Sequence, residues 1–380
     1  MSEKKRILIF IDWFLPGYKA GGPIRSIVNI IEQLFEYFDF YIVTSDRDLG
    51  DESPYENIIT NKIKDNGKYK IVYLSPENQN KKTFLKLFEE IKPYKVYFNS
   101  LFSVKFTLLP LYFIKKRMPD GSIILAPRGM LGNGALELKK VKKNIFLKLG
   151  KLSGLFSGIL WHATTSDEAE DIRNTFDNAK IVIAENIPRI SSGYSQKEKK
   201  DITKFVFISR ISKKKNILYA IKILNNLKTG SNIIFDIFGP SEDQNYEQIC
   251  KIEAENNPGN ISVNFKEEIA HNKVINTLKK YHFFLFPTLH ENYGHAVFEA
   301  FSAGCPVIIS DKTPWKNLEE KKIGWDINLQ DKDKFRKVIQ KCIDMTQEEY
   351  DKMSLNAFNF AKNNSANSKS VKQTKKLFEL

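Results

Sequence analysis

The chain has 380 residues, 42% hydrophobic and 27% charged, with a formal net charge of +14. That is length enough for two domains with separate cores, in the composition range of soluble globular proteins. No apolar run approaches the roughly 18–20 residues that a membrane-spanning helix needs, so an integral helical membrane protein is not expected. The opening residues, Met1 to Asp12, pass from charge straight into a short apolar run. That run is too short for a signal peptide, and no small-residue cleavage site follows it. Three scattered cysteines, Cys250, Cys305 and Cys342, argue against a disulfide framework and fit a reducing cytoplasm.

In chain order, a strand is expected over 7–11, a loop over 12–23 and a helix from about 24 to 38. Further strands are expected over 40–44, 70–74, 95–99 and 122–126, with helical segments between them. Residues 161–166 read as another strand, with Ser166 capping a helix from Asp167, and 181–184 closes the set. The polar stretch 191–201 is the linker candidate. The pattern then restarts, with a strand over 205–209, a helix from Asn216, a strand over 233–238 and a helix from Glu242. A strand over 261–265, a helix near 272–280 and a short buried strand over 283–286 follow. From about Gln347 the chain reads as helical.

The expected division is a first domain over 1–190, a linker over 191–203, a second domain over 204–364 and a terminal helix over 365–380. This βα alternation implies an α/β protein with two parallel, doubly wound sheets. Ligands of such folds gather at the carboxyl ends of the strands, here expected in a cleft between the two domains.

The positive charge is uneven. Residues 105–151 hold eleven Lys/Arg against two acids, Asp120 and Glu137. Over 139–151 the lysines Lys139, Lys140, Lys142, Lys143, Lys148 and Lys151 interleave with Val141, Ile145, Phe146, Leu147 and Leu149. This is a basic amphipathic surface suited to an anionic membrane or a lipid-phosphate acceptor. A solvated lysine-rich face is the plain alternative. No nucleic-acid-binding module is recognised, so nucleic acid is not an expected partner.

The most informative stretch runs from Phe284 to Ser310. Pro287 ends an apolar strand, Glu291 lies in the loop beyond it, and Asn292, Tyr293 and Gly294 open a helix. Glu299 follows eight positions after Glu291, roughly one turn into that helix. Amides at a helix start attract phosphate, Gly294 lets a ligand approach the backbone, and carboxylates accept hydrogen bonds from sugar hydroxyls. His290 and His295 flank Glu291, but their spacing misses one helical face and no third ligand is near, so no metal site is expected. His290 is expected to line the pocket beside Glu291. No Ser/His/Asp triad and no Walker loop is found.

The stretch resembles the E-x7-E motif of the retaining family 4 glycosyltransferases, and four other segments match that family in order. Gly21 and Gly22, in the segment from Gly17 to Arg25, resemble its Gly-Gly loop. Arg210 and Lys215 match its Arg and Lys five positions apart. Gly239, closing Asp236-Ile-Phe-Gly-Pro240, resembles its strand-end glycine near the nucleotide base. The segment from Ala126 to Leu131 stands where relatives carry a His-Asp or His-Gly pair, and here holds Arg128.

The resemblance implies a GT-B fold and a nucleotide-sugar donor, with no cofactor and no essential metal. It further implies retention of anomeric configuration through front-face attack by the acceptor hydroxyl. Arg210 and Lys215 would stabilise the departing phosphates, with Lys213 and Lys214 as alternatives for the lysine. Glu291 would orient sugar hydroxyls and Glu299 would hold the ribose. Gly21, Gly22, Gly239, His290, Asn292, Tyr293 and Gly294 complete the expected donor site. Arg25 and Arg128 are assigned to the acceptor or a phosphate. The expected acceptor is a glycan on a lipid carrier, handled in the cytoplasm at the inner face of the plasma membrane. Two rivals are a sugar-nucleotide epimerase of the same fold, which would need added acid/base residues, and a non-catalytic basic binding protein, which would need no ordered cleft motifs.

Overall fold

A computed structural model describes residues 4–132, 140–188, 193–199, 201–270, 273–366 and 369–380, with the backbone alone at 140–145 and 365–366. Lys139 and His271 lie outside the described residues, as do the side chains of Lys140, Lys142 and Lys143. The chain divides into two compact units, Met1–Ile187 with Ser368–Leu380, and Pro188–Asn367.

The first unit is built on eight strands: β1 (Lys5–Phe10), β2 (Phe38–Ser45), β3 (Lys64–Asp65), β4 (Lys70–Leu74), β5 (Lys95–Phe98), β6 (Ile123–Leu125), β7 (Leu160–Ala163) and β8 (Lys180–Ile183). Their order is β3-β4-β2-β1-β5-β6-β7-β8. All pairings are parallel except that of the short β3 with β4. The strands are near-continuous apolar runs because helices cover both faces of such a sheet. Ile7, Leu8, Ile9 and Phe10 are all fully buried. The C-terminal helix Lys369–Glu379 returns to this unit. Its Phe378 packs against Phe38, Phe40 and Tyr97 with ring centroids 5.5, 6.0 and 5.7 Å away.

The second unit holds β9 (Ile202–Ile208), β10 (Asn232–Phe238), β11 (Ile261–Lys266), β12 (Phe283–Phe286), β13 (Val307–Ser310) and β14 (Gly324–Ile327). Their order is β11-β10-β9-β12-β13-β14, parallel throughout. In each unit the first strand is central and the chain winds outward on one side before crossing to the other. The order therefore reverses between β1 and β5, and again between β9 and β12. Such a switch point is where strand-end loops diverge and leave room for a ligand.

Two expectations are corrected. The cap of the helix Ser166–Thr175 is Thr165, not Ser166, because it is the Thr165 side chain that accepts from the Glu168 amide. Residues 193–199 are not a solvated linker but an arm of the second unit. Lys197 is buried, and its ammonium donates to the carbonyls of Ala303 (2.9 Å) and Gly304 (2.5 Å) at the end of the helix His295–Ser302. Lys199 does the same for Ile343 (2.5 Å) and Met345 (2.7 Å) at the end of the helix Lys332–Asp344. Helix C-termini present unpaired carbonyls that attract cations, and a lysine stem is apolar enough to lie in a core. Polarity alone therefore misread this stretch.

Candidate active site

The site in the second unit is made by the loops that leave β9, β10 and β12. After β9 the chain makes one 3-10 turn, Lys213–Lys215, and then takes a left-handed residue, Asn216, at φ 57°. Asparagine tolerates that conformation better than most residues with a Cβ, so the turn closes here without a glycine. The Asn216 amide donates to the Pro287 carbonyl (3.0 Å), and the Leu289 N–H donates to the Lys214 carbonyl (2.8 Å). The Thr288 hydroxyl lies 3.1 Å from the carbonyl oxygens of both Lys214 and His290. The Ser310 hydroxyl donates to the Thr288 carbonyl (2.5 Å) and the Glu291 N–H to the Lys312 carbonyl (2.9 Å). Glu291 thus sits on a loop stitched on one side to the lysine turn and on the other to the residues after β13.

The stitching brings Lys215 against Glu291. The two form a short charge-assisted hydrogen bond, with both side chains largely out of solvent. The Lys215 ammonium also lies 5.3 Å from the centre of the Phe286 ring. Burial alone pushes the Glu291 carboxyl upward. The Lys215 ammonium, and beyond it Lys214 and His290, outweigh that and hold the group below the usual glutamate range. Lys214 is half-buried, and its pKa is lowered by burial first and then by the neighbouring Lys215 and Arg210. Arg210 pairs with Glu242, 3.1 Å away, and Lys213 with Asp243, 3.7 Å away. Among the described residues, no group of three or more His, Cys, Asp or Glu side chains is placed to hold a metal.

Gly239 has its own reason to be glycine. A Cβ there would stand 2.0 Å from the Ser209 carbonyl oxygen, so the ends of β9 and β10 close on each other only without a side chain. Gly294 caps the helix His295–Ser302 at φ 78°, and Glu299 lies five residues on, buried. The Tyr293 carbonyl accepts from the Trp315 indole N–H (2.5 Å), and the Tyr293 ring lies 4.8 Å from His295 and 5.3 Å from Trp315. Trp315 thereby sets the turn that starts this helix. Sequence reasoning missed it, as it missed Thr288 and Glu242, because each acts on a residue remote in the chain with no local pattern to mark it.

Gly21, Gly22, Arg25 and Arg128 lie at the carboxyl end of the first unit's sheet. Gly21 is left-handed (φ 69°) and caps the helix Gly22–Leu34, with Arg25 in its first turn. The loop before it is held by the buried Asp48 carboxylate, which accepts from the amides of Tyr18 (2.8 Å) and Lys19 (3.1 Å). Arg128 spends three donors inside the unit, on Asn99 Oδ1 (2.7 Å), Asn186 Oδ1 (2.8 Å) and the Tyr97 hydroxyl (2.8 Å). Its guanidinium is a structural hub, a role that its place in the motif did not suggest. The adjoining Gly129 amide donates to the buried Glu168 carboxylate (2.6 Å), whose other oxygen takes the Thr164 amide (2.7 Å).

Residues 193–360, the second unit nearly whole, match the family model described as glycosyl transferases group 1. The second unit is a group 1 glycosyl transferase domain. By structure the chain is similar to WaaG, a glycosyltransferase involved in lipopolysaccharide biosynthesis, at 14% identity and a TM-score of 0.68, covering 96% of this chain and 98% of that one. It is similar to the sucrose-phosphate synthase of Thermosynechococcus elongatus at 13% identity and a TM-score of 0.73, covering 99% and 98%. It is likewise similar to Anabaena HepE in complex with UDP and glucose, at 13% identity and a TM-score of 0.72, covering 99% and 98%. At these identities the likeness establishes the fold, which is GT-B with two parallel-sheet domains. Compared by sequence with curated proteins, the chain matches none.

Proposed function

We propose that the protein is a retaining glycosyltransferase that moves a sugar from a nucleotide-sugar donor to a hydroxyl of a glycan acceptor, in cell-surface polysaccharide synthesis. The observation that carries the reading is the Lys215–Glu291 pair, held with Arg210 at the switch point of the group 1 domain. As the bond from the anomeric carbon to the phosphate oxygen lengthens, negative charge gathers on the leaving diphosphate. Lys215 and the Arg210 fork are the groups that offset it. Glu291, kept ionised by Lys215, accepts hydrogen bonds from donor sugar hydroxyls, with His290 beside it. Glu299 is assigned to the ribose. The acceptor hydroxyl attacks the same face that the diphosphate leaves, and its proton passes to a departing phosphate oxygen. With the charge offset by side chains, no metal is required.

A test of the donor site is a thermal-shift series with UDP, GDP, ADP and their common sugars, with and without Mg²⁺. One nucleotide class is expected to stabilise the protein equally with and without metal, and Arg210→Ala is expected to remove that response. A response that needs Mg²⁺ would remove the metal-independent mechanism. Survival of the response in Arg210→Ala would remove the assigned phosphate contact.

The acceptor is assigned to a lipid carrier, with the enzyme peripheral at the inner face of the plasma membrane. The support is on the surface of the first unit, where large apolar side chains stand exposed among cations: Val104 (57%), Tyr112 (68%), Leu149 (61%) and Leu152 (77%). Lys105, Lys148 and Lys151 adjoin Val104, Leu149 and Leu152 in the chain, and Lys116 follows Tyr112 by four residues. No described helix is long and apolar enough to cross a membrane. An apolar-basic surface binds the interface of an anionic bilayer instead. Vesicles containing anionic lipid are expected to co-sediment the parent protein. A Leu149→Ser, Leu152→Ser double variant with an unchanged melting curve should stay in the supernatant, and equal sedimentation of the two would reject the membrane assignment.

A further inference from the structure

The Arg210 guanidinium, assigned above to the donor's phosphates, pairs with Glu242 at 3.1 Å. Glu242 is not a passing neighbour. Its own N–H donates to the Ile211 carbonyl (3.1 Å), and the Ile211 N–H donates to the Pro240 carbonyl (2.9 Å). Gly239, with no room for a Cβ against Ser209, presses the same two segments together. The backbone of Glu242 is therefore tied to the residue next to Arg210. The following acid, Asp243, is engaged elsewhere: it caps the helix Gln244–Ala254 by accepting from the Tyr246 amide (2.9 Å) and faces Lys213.

The Arg210–Glu242 pair is also poorly suited to a stabilising role. The two side chains are 33% and 46% exposed, and ion pairs this open contribute little to folding. Their charges still matter to a ligand. A diphosphate approaching Arg210 meets a fixed carboxylate that claims the same donors and repels its own charge.

We propose that Glu242 is an affinity-setting counter-ion of the donor site, competing with the donor's phosphates for Arg210. The inference rests on the transferase reading above. Glu242 weakens the hold on the donor and also on the nucleoside diphosphate product, whose departure it speeds.

The test is calorimetric titration of UDP, GDP and ADP into the parent chain, Glu242→Gln, Asp243→Asn, Arg210→Gln and the Arg210→Gln/Glu242→Gln double variant. Glu242→Gln is expected to bind its nucleotide roughly three- to tenfold more tightly than the parent. Asp243→Asn removes an equal charge one residue away and keeps a good helix cap, and is expected to change affinity less than about twofold. Arg210→Gln is expected to weaken binding, and adding Glu242→Gln to it should bring little gain. Unchanged or weaker binding by Glu242→Gln, beside a weakened Arg210→Gln, overturns the competitor role alone. An equal gain from Asp243→Asn does so too, by reducing the effect to general charge. Binding of none of the three nucleotides by the parent, or undiminished binding by Arg210→Gln, overturns the transferase reading and this inference with it.

Discussion

Replacing Lys215 by methionine is expected to cost the second unit roughly 3–5 kcal/mol, because it leaves the Glu291 carboxylate in its buried place without a counter-charge. For a unit of this size that lowers the midpoint of thermal unfolding by about 10 °C. The methionine keeps the stem beside Phe286, so the loss is chiefly electrostatic. Nucleotide binding should vanish with it, since the ammonium is assigned to the leaving diphosphate.

Stability and function can be separated by a second change. Adding Glu291→Gln to Lys215→Met removes the stranded charge and is expected to restore more than half of the lost stability, because a neutral pair needs no counter-ion. It should restore no binding. Arg210→Gln supplies the converse. Its pair with Glu242 is exposed, so the melting point should stay within about 2 °C of the parent while binding falls. Calorimetric melts of the three variants check the set. A Lys215→Met protein as stable as the parent would mean that Glu291 is not held as the geometry implies.

Much of this arrangement was legible in the chain. Apolar runs such as residues 205–208 and 283–286 announce buried parallel strands, since no face of such a strand meets water. Pro287 and Gly294 punctuate the loop between a strand and a helix, and so place Glu291 and Glu299 on either side of the helix start. The asparagine at 216 suits the left-handed turn that the chain makes there.

What could not be read depends on partners distant in sequence. Trp315 matters through the Tyr293 carbonyl, 22 residues away, and Glu242 through Arg210. Nothing within a few residues of either marks it. The lysines of residues 193–199 show the same limit from the other side. A lysine with water around it and one capping a buried helix end have identical local sequence, and only the folded neighbour distinguishes them.

Arg128→Met is expected to cost the first unit about 3–5 kcal/mol, the sum of leaving several buried acceptors short of a donor. Its guanidinium joins Asn99 at the end of β5, Asn186 beyond β8 and the Tyr97 hydroxyl within β5. Tyr97 passes the chain on, donating to His162 Nδ1 (2.7 Å), while His162 Nε2–H donates to the Ala184 carbonyl (2.8 Å). Arg128→Lys should recover little, because one ammonium cannot reach acceptors that a planar fork spans in three directions. The network adds a pH signature that loss of a ligand contact would not produce. Burial first, and the Arg128 charge second, push His162 down to about 3, so the folded protein keeps it neutral where the unfolded chain protonates it. A depressed pKa of this kind withdraws stability as pH falls below about 6.5, and continues to do so down to about 3. Arg128→Met removes one cause of the depression, so its His162 protonates more readily in the folded state and loses less stability on acidification. The gap between variant and parent, measured by urea unfolding, is therefore expected to be smaller at pH 4 than at pH 7. A gap that is constant with pH would show that Arg128 does not act on His162. A gap near zero at both would return Arg128 to the ligand role first expected of it.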